Sequence, residues 1–464
     1  MSLRIAFCSL VSICLLLANS VPLLAADGAD ELVPLVVALL TNNDREFRAA
    51  GLDQIRSGGG GAEATRAFAA HLAKLDSAGQ TALLSALADR KDVAARPAIL
   101  ELLKANNSED VRTAAILALG KLSDAADLPL LVQLLSAKSA AEQAAARQSL
   151  SQFSGAAAAK ALAAEAASGT SALRAAAIEI LANRRARDQI PTFLAATLDD
   201  QSQIRSAAMS ALGQVGGTEQ IGPMLAGVLK AQKGGERDNA EKSIALICSR
   251  ITNEDQRGAA LIEALDKVDA DQRDQYLSLV GRVGGKKLIN FVGDIATGND
   301  KARRQLGIDA LGKWPDATVA DKLLEITHKA TDPAERRQSF QAFVKVAATR
   351  DNRSDKQRLE RMKQAMKEAQ TPEEQTLVLN RCRTAYDVDT VRFVLPYVDQ
   401  PQFAQLACET IVEIAHHREV RDPNKAEFDK VLDKVIQTSK DDVVIDRAQR
   451  YKRGETWTRP TKAG

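Results

Sequence analysis

Val111-Arg112-Thr113-Ala114-Ala115-Ile116-Leu117-Ala118-Leu119-Gly120 is the stretch that decides the fold. Val111, Ala114, Ala115, Ala118 and Leu119 fall at i, i+3, i+4, i+7 and i+8, the apolar face of one α-helix. Gly120 is placed to supply a left-handed residue that ends it. The pattern returns as Leu173-Arg174-Ala175-Ala176-Ala177-Ile178-Glu179-Ile180-Leu181-Ala182 and as Ile204-Arg205-Ser206-Ala207-Ala208-Met209-Ser210-Ala211-Leu212-Gly213. Weaker copies begin at Phe47-Arg48 and Arg303-Arg304.

Taking the penultimate apolar residue of each copy as an anchor gives Ile55, Leu87, Leu119, Phe153, Leu181, Leu212, Leu246, Val280 and Leu311, then positions near Val344, near Asn380 and at Ile411. The spacing is roughly 32 residues, and a fixed period of this size marks a repeat array. Each unit reads as two helices. The second opens with proline in its first turn: Arg96-Pro97, Leu128-Pro129, Ile190-Pro191 and Gly222-Pro223. Proline loses nothing there, because the first N–H groups of a helix have no partner within it. A pair this short cannot bury its apolar face alone, so stacked pairs must share one core. Hydrophobic residues are 45% of the chain but aromatics only 4%, so Ala, Leu, Val and Ile carry the packing, which suits close helix contacts. No run alternates with period two, as a half-buried strand would. The expected fold is all-α, a right-handed α-α superhelix.

The hydrophobic-Arg-x-Ala-Ala-x-x-Ala-Leu-Gly segments at 111–120 and 204–213, with Asp110 and Asp199-Asp200 upstream, resemble the HEAT family, in particular its short phycobilisome-lyase-type repeats. The resemblance is strongest over 79–330 and extends over most of 30–440. It implies a HEAT/armadillo-like solenoid whose second helices line a concave binding surface. It also implies that Arg112, Arg174 and Arg205 pair with acidic groups between units, as structural residues. The tetratricopeptide family has a similar repeat length, but its Trp and Tyr positions are missing here.

Three regions follow from composition. Residues 1–26 carry Arg4, an apolar run from Ile5 to Ala18, and small residues at Ala18-Asn19-Ser20 and Ala25-Ala26, the layout of a cleaved secretory signal. Residues 27–440 hold the solenoid, expected as about twelve helix pairs. Residues 441–464 form a basic tail that frays, or a cap with Trp457 as anchor. The expected location is therefore periplasmic or extracellular, for a monomeric protein without a membrane-spanning helix. Beyond residue 26 the cysteines are Cys248, Cys382 and Cys408, scattered in apolar helical contexts. They read as small core residues, with a Cys382–Cys408 bridge as the alternative.

Chemistry is sparse. His71, His328, His416 and His417 are the only histidines. Glu325 with His328, and Glu413 with His416, have the Glu-x-x-His spacing of di-iron carboxylate sites. They lie about three repeats apart, so a shared metal is not expected. Gly58-Gly59-Gly60-Gly61 lacks the Lys-Ser/Thr that a phosphate loop needs, and reads as a linker. No catalytic residue, cofactor or metal is assigned.

Arg336 to Lys367 is rich in cations, and Leu359, Met362 and Met366 give it an apolar stripe. It reads as an amphipathic helix with a wet basic face. As a docking surface for an acidic partner, its residues would be Arg353, Lys356, Lys363 and Lys367. No aromatic residues interleave with these cations, which argues against nucleic acid, and the net charge of +2 advertises no polyanion. The expected role is an exported, non-catalytic protein-interaction scaffold with a protein partner. A structural envelope component and a lyase-like enzyme are the alternatives.

Overall fold

The computed structural model describes residues 29–458, apart from 43, 58–59, 106–107, 154 and 271. The expected export segment, Gly58, Gly59 and the tail beyond residue 458 lie outside the described residues. These divide into two compact units, within Met1–Val215 and Gly216–Gly464. Both are all-α, with no strand among the described residues. No helix among them is long and apolar enough to cross a membrane.

In the first unit, the first helices of successive pairs include Ser77–Arg90, Glu109–Leu122, Ala140–Gln152, Ser171–Asn183 and Ser202–Val215. Their second helices include Arg96–Lys104, Leu128–Leu134 and Ile190–Ala196, each with proline at its start. A short 3-10 turn joins the helices of a pair. Asp92 and Asp124 cap two of these turns by accepting hydrogen bonds from the amides of Ala94 and Ala126. In the second unit, Gly235–Ser249, Leu277–Val283, Lys301–Leu311, Pro333–Ala347, Pro372–Cys382, Ala404–Ala415 and Asp442–Lys452 form the layer of first helices. The core of each unit lies between its two helix layers, filled by residues such as Leu119, Leu181, Leu311, Val344 and Ile411.

Three sequence expectations need correction. Gly120 does not end its helix; it sits inside Glu109–Leu122, and Ser123 takes the left-handed backbone at φ 55°. Gly120 instead lets the next first helix approach, since a Cβ there would lie 2.4 Å from Ser149 Cβ. Gly213 is likewise inside Ser202–Val215. The anchor expected at Leu246 is 47% exposed, and Ile244 and Ile247 take the core instead. The chain after Asp441 does not fray at once: Asp442–Lys452 is a helix that buries Val444, Ala448 and Tyr451.

Candidate functional site

The repeat arginine is the residue that organises the array. In Glu109–Leu122 it is Arg112, one turn from the start. Its side chain reaches back to the Leu103 carbonyl at 2.5 Å, at the end of the preceding second helix. The same guanidinium meets Glu142 of the next first helix at 2.6 Å. One cation therefore satisfies an orphan carbonyl at a helix C-terminus, where positive charge is favoured, and ties three helices together. The hydrogen bond from Arg112 holds the Glu142 carboxyl below the usual carboxylate range.

The arrangement recurs within each unit. Arg174 donates to the Ala166 carbonyl and pairs with Asp199 at 2.8 Å. Arg205 donates to the carbonyls of Asp199 and Asp200. Arg237 and Arg273 reach the carbonyls of Leu229 and Val268. Arg304 reaches the Gly298 and Asn299 carbonyls and pairs with Glu335 at 3.0 Å. Gln143 does the capping part alone, donating to the Ala137 carbonyl. Counting seven residues on from these side chains lands on Leu119, Leu150, Leu181, Leu212, Ile244, Val280 and Leu311, all fully buried. That count places the seventh repeat at Ile244, where counting from the apolar run alone had pointed to Leu246.

Helices held this way leave grooves between neighbours. The larger lies between second helices Ile221–Lys230 and Ala259–Asp266, with a volume of about 770 Å³. Gly222 and Ala226 on one helix, and Ala260 and Ala264 on the other, leave the trough unfilled because none of them projects far. Tyr276 closes one end, buried, with its hydroxyl 3.4 Å from the Leu225 carbonyl; burial raises its phenol above the ordinary tyrosine value. Glu219, Glu263, Lys267 and Asp269 rim it. A second groove, about 730 Å³, runs between first helices Pro333–Ala347 and Pro372–Cys382.

The residues singled out in the basic stretch separate. Arg353 turns inward, bonded to Asp351 at 2.8 Å and to the Ala347 and Thr349 carbonyls. Lys356, Lys363 and Lys367 share the outer side of helix Asp355–Glu368, as spacings of seven and four dictate. Lys363 is paired with Glu360 at 2.8 Å, Lys356 stands 4.0 Å from Asp389, and Lys367 is exposed. The two Glu-x-x-His pairs are split by other partners. Glu325 binds Lys329 while His328 meets Glu368 at 2.8 Å. Glu413 binds Arg447 while His416 meets the Tyr451 hydroxyl at 2.9 Å. Cys248, Cys382 and Cys408 are buried free thiols. Burial pushes Cys382 up to about 12, and Cys248 and Cys408 up to about 11.

Sequence reasoning missed one constellation. Arg350 lies over the Tyr386 ring at 4.2 Å, and Tyr386 stacks on His417 at 3.6 Å. His417 meets His416 edge to face, and Tyr451 accepts a hydrogen bond from Arg447, which also covers Trp457 at 4.9 Å. These residues come from the ends of four first helices or the turns after them, so the row is assembled only when the repeats stack. Every member is engaged by another, which makes it a structural seam between repeats.

Fold and clamp together define a helical-repeat protein. The family model described as HEAT repeats matches residues 65–151 and 158–245, so HEAT repeats are recognised over that part of the chain. No curated protein matches the chain. Among solved structures it is similar to the karyopherin Kap121p bound to the SUMO protease Ulp1p, at 12% identity and a TM-score of 0.46, over 90% of this chain and 52% of that one. It is also similar to Kap95p bound to RanGDP, at 12% identity and a TM-score of 0.44, over 92% of this chain and 60% of that one. Importin beta gives 12% identity and 0.38, over 90% of this chain and 60% of that one. The chain thus spans just over half the length of these proteins.

Proposed function

We propose that this chain is an exported, monomeric, non-catalytic scaffold that binds a protein partner. The observation that carries the reading is the groove between Ile221–Lys230 and Ala259–Asp266. It is of ligand-binding size, floored by short apolar side chains and rimmed by charge. Its walls are second helices whose ends are fixed by Arg237 and Arg273. Prefixed walls reduce the ordering that a bound segment must overcome. The candidate reactive groups are committed elsewhere: Glu325, His328, Glu413 and His416 each hold a structural partner, and buried thiols stay protonated at neutral pH. Export rests on the layout of residues 1–26.

The test is a capture. The tagged protein, incubated with an envelope extract of its own organism, is cross-linked and analysed by mass spectrometry. One enriched partner linked to residues around Ala226 and Ala260 supports the scaffold. Links only between copies of this chain overturn it in favour of a structural component. The mass of the N-terminal peptide of the exported protein tests cleavage before Asp27.

A further inference from the structure

The groove between Pro333–Ala347 and Pro372–Cys382 differs in character from the larger one. Arg337 and Gln341 line it from one helix, and Glu373, Leu377 and Asn380 from the other. Lys345 lies one turn beyond Gln341, and Arg381 one turn beyond Leu377, at its C-terminal end. At the N-terminal end of the groove charge is balanced, because Arg337 acts on Glu373 and helps hold its carboxyl low after hydrogen bonds from its own backbone and from Thr371. At the C-terminal end it is not. Lys345 and Arg381 are exposed, and no acid among the described residues is bonded to either. Lys313, in the turn after the neighbouring first helix Lys301–Leu311, joins them, and it donates to the Ser278 hydroxyl.

Asp309, Asp238 and Glu241 line a neighbouring pocket together with Lys313. Asp309 accepts a hydrogen bond from the Gln338 amide at 2.7 Å. Asp238 and Glu241 are both taken by Arg282. Burial, then the positive charges of Lys313, Arg282 and Arg381, hold Lys345 below the ordinary lysine range, with Asp309 acting weakly the other way. Like charges gathered at an open groove repel one another in the free protein, and an anion placed among them relieves that repulsion. Between the two ends, Gln341 and Asn380 offer amide groups, Thr376 a hydroxyl and Leu377 an apolar contact. Side-chain amides both donate and accept, and the backbone of an extended polypeptide offers a matching row of N–H and C=O groups.

We propose that this groove binds an extended acidic segment of a partner protein, with its carboxylates on Lys345, Arg381 and Lys313 and its backbone along Gln341 and Asn380. This rests on the scaffold reading but assigns a surface of its own, on the first helices of the second unit.

The experiment uses the full chain and a fluorescent oligoglutamate, followed by anisotropy, with oligoglutamine as control. Oligoglutamate binds saturably and more weakly as salt rises, and oligoglutamine does not. K345E/R381E lowers its affinity by about tenfold or more, a change of ~1.4 kcal/mol. K345Q/R381Q, matched to the parent by thermal melting, lowers it less. Absence of saturable binding overturns the proposal. So does loss of binding in K356E/K363E/K367E but not in K345E/R381E, which would move acid recognition to helix Asp355–Glu368. Binding of a heparin oligosaccharide without oligoglutamate would replace the peptide by a polysaccharide. A captured partner cross-linked around Ala226, with no oligoglutamate binding, would sink this inference and leave the scaffold standing.

Discussion

Ser149 lies so close to Gly120 that a Cβ on the glycine would fall 2.4 Å from its Cβ, and its hydroxyl donates to the Ile116 carbonyl at 3.0 Å. Two first helices therefore touch through backbone and a hydroxyl. Real Cβ atoms do not approach to that distance, so Gly120→Ala must push the helices apart or break the hydrogen bond. Overpacking of this kind destabilises by about 1–3 kcal/mol. Urea unfolding followed by circular dichroism should show Gly120→Ala clearly less stable than the parent. Equal stability would mean that the helices stand further apart than described.

The Arg112–Glu142 pair predicts a pH signature. The Glu142 carboxyl is depressed by its hydrogen bond from Arg112, so its contribution is fully present above the unfolded carboxylate pKa and is lost as pH falls through the lower, folded value. Glu142→Gln removes a charge-assisted hydrogen bond from a mostly buried site, a loss of about 1.5–3 kcal/mol at neutral pH. The gap between parent and variant should hold constant from pH 7 down to about 5 and shrink in more acidic solution. A gap that widens on acidification would show that the pair is not the source.

The same pair shows what the chain discloses as sequence. Arg112, Arg174 and Arg205 stand out because each precedes an Ala-rich apolar run, and the helix period places their neighbours in the core. The helix-opening prolines were equally legible, since proline tolerates that place and few others. Gly120 misled because a glycine after an apolar run looks like a helix end. Lys121 and Leu122 extend the helix to Ser123, and the real constraint on Gly120 comes from Ser149 in the next repeat. Leu246 misled because Ile244, Leu246 and Ile247 are all apolar, and only the distance from Arg237 picks the inward ones. The grooves were not legible at all. Their width depends on how near Gly222 comes to Ala264, and their charge on which acids Arg282 and Gln338 have already taken. Neither is written in any local pattern.

Thiol reactivity should report on packing in the second unit. Cys382 is fully buried and pushed up to about 12, and Cys408 and Cys248 are buried at about 11. Since the thiolate is the attacking species, all three should resist a disulfide reagent at pH 8 in the folded protein and react rapidly in guanidinium. Mass analysis without reductant should then find Cys382 and Cys408 both free. Rapid labelling of Cys382 in the native state would contradict the burial, and an intact bridge between the two would require the helices Pro372–Cys382 and Ala404–Ala415 to meet differently.

Filling the larger groove is the most direct way to separate binding from stability. Ala226 is exposed on Ile221–Lys230 and forms one wall, with Ala260 on the opposite helix. A tryptophan at Ala226 can occupy the trough without entering the core, because Met224, Leu225 and Val228 supply the buried face of that helix. Surface changes away from core and caps stay within about 0.5 kcal/mol. Ala226→Trp should therefore melt like the parent and lose the partner recovered in the cross-linking capture. Glu263→Lys tests the rim instead. It breaks the 3.0 Å pair with Lys267 and reverses one charge at the groove edge, so it should weaken capture in a salt-sensitive way. Full capture by Ala226→Trp would remove this groove as the binding surface. It would direct attention to the first-helix groove, where Lys345 and Arg381 make the opposite demand on a partner's charge.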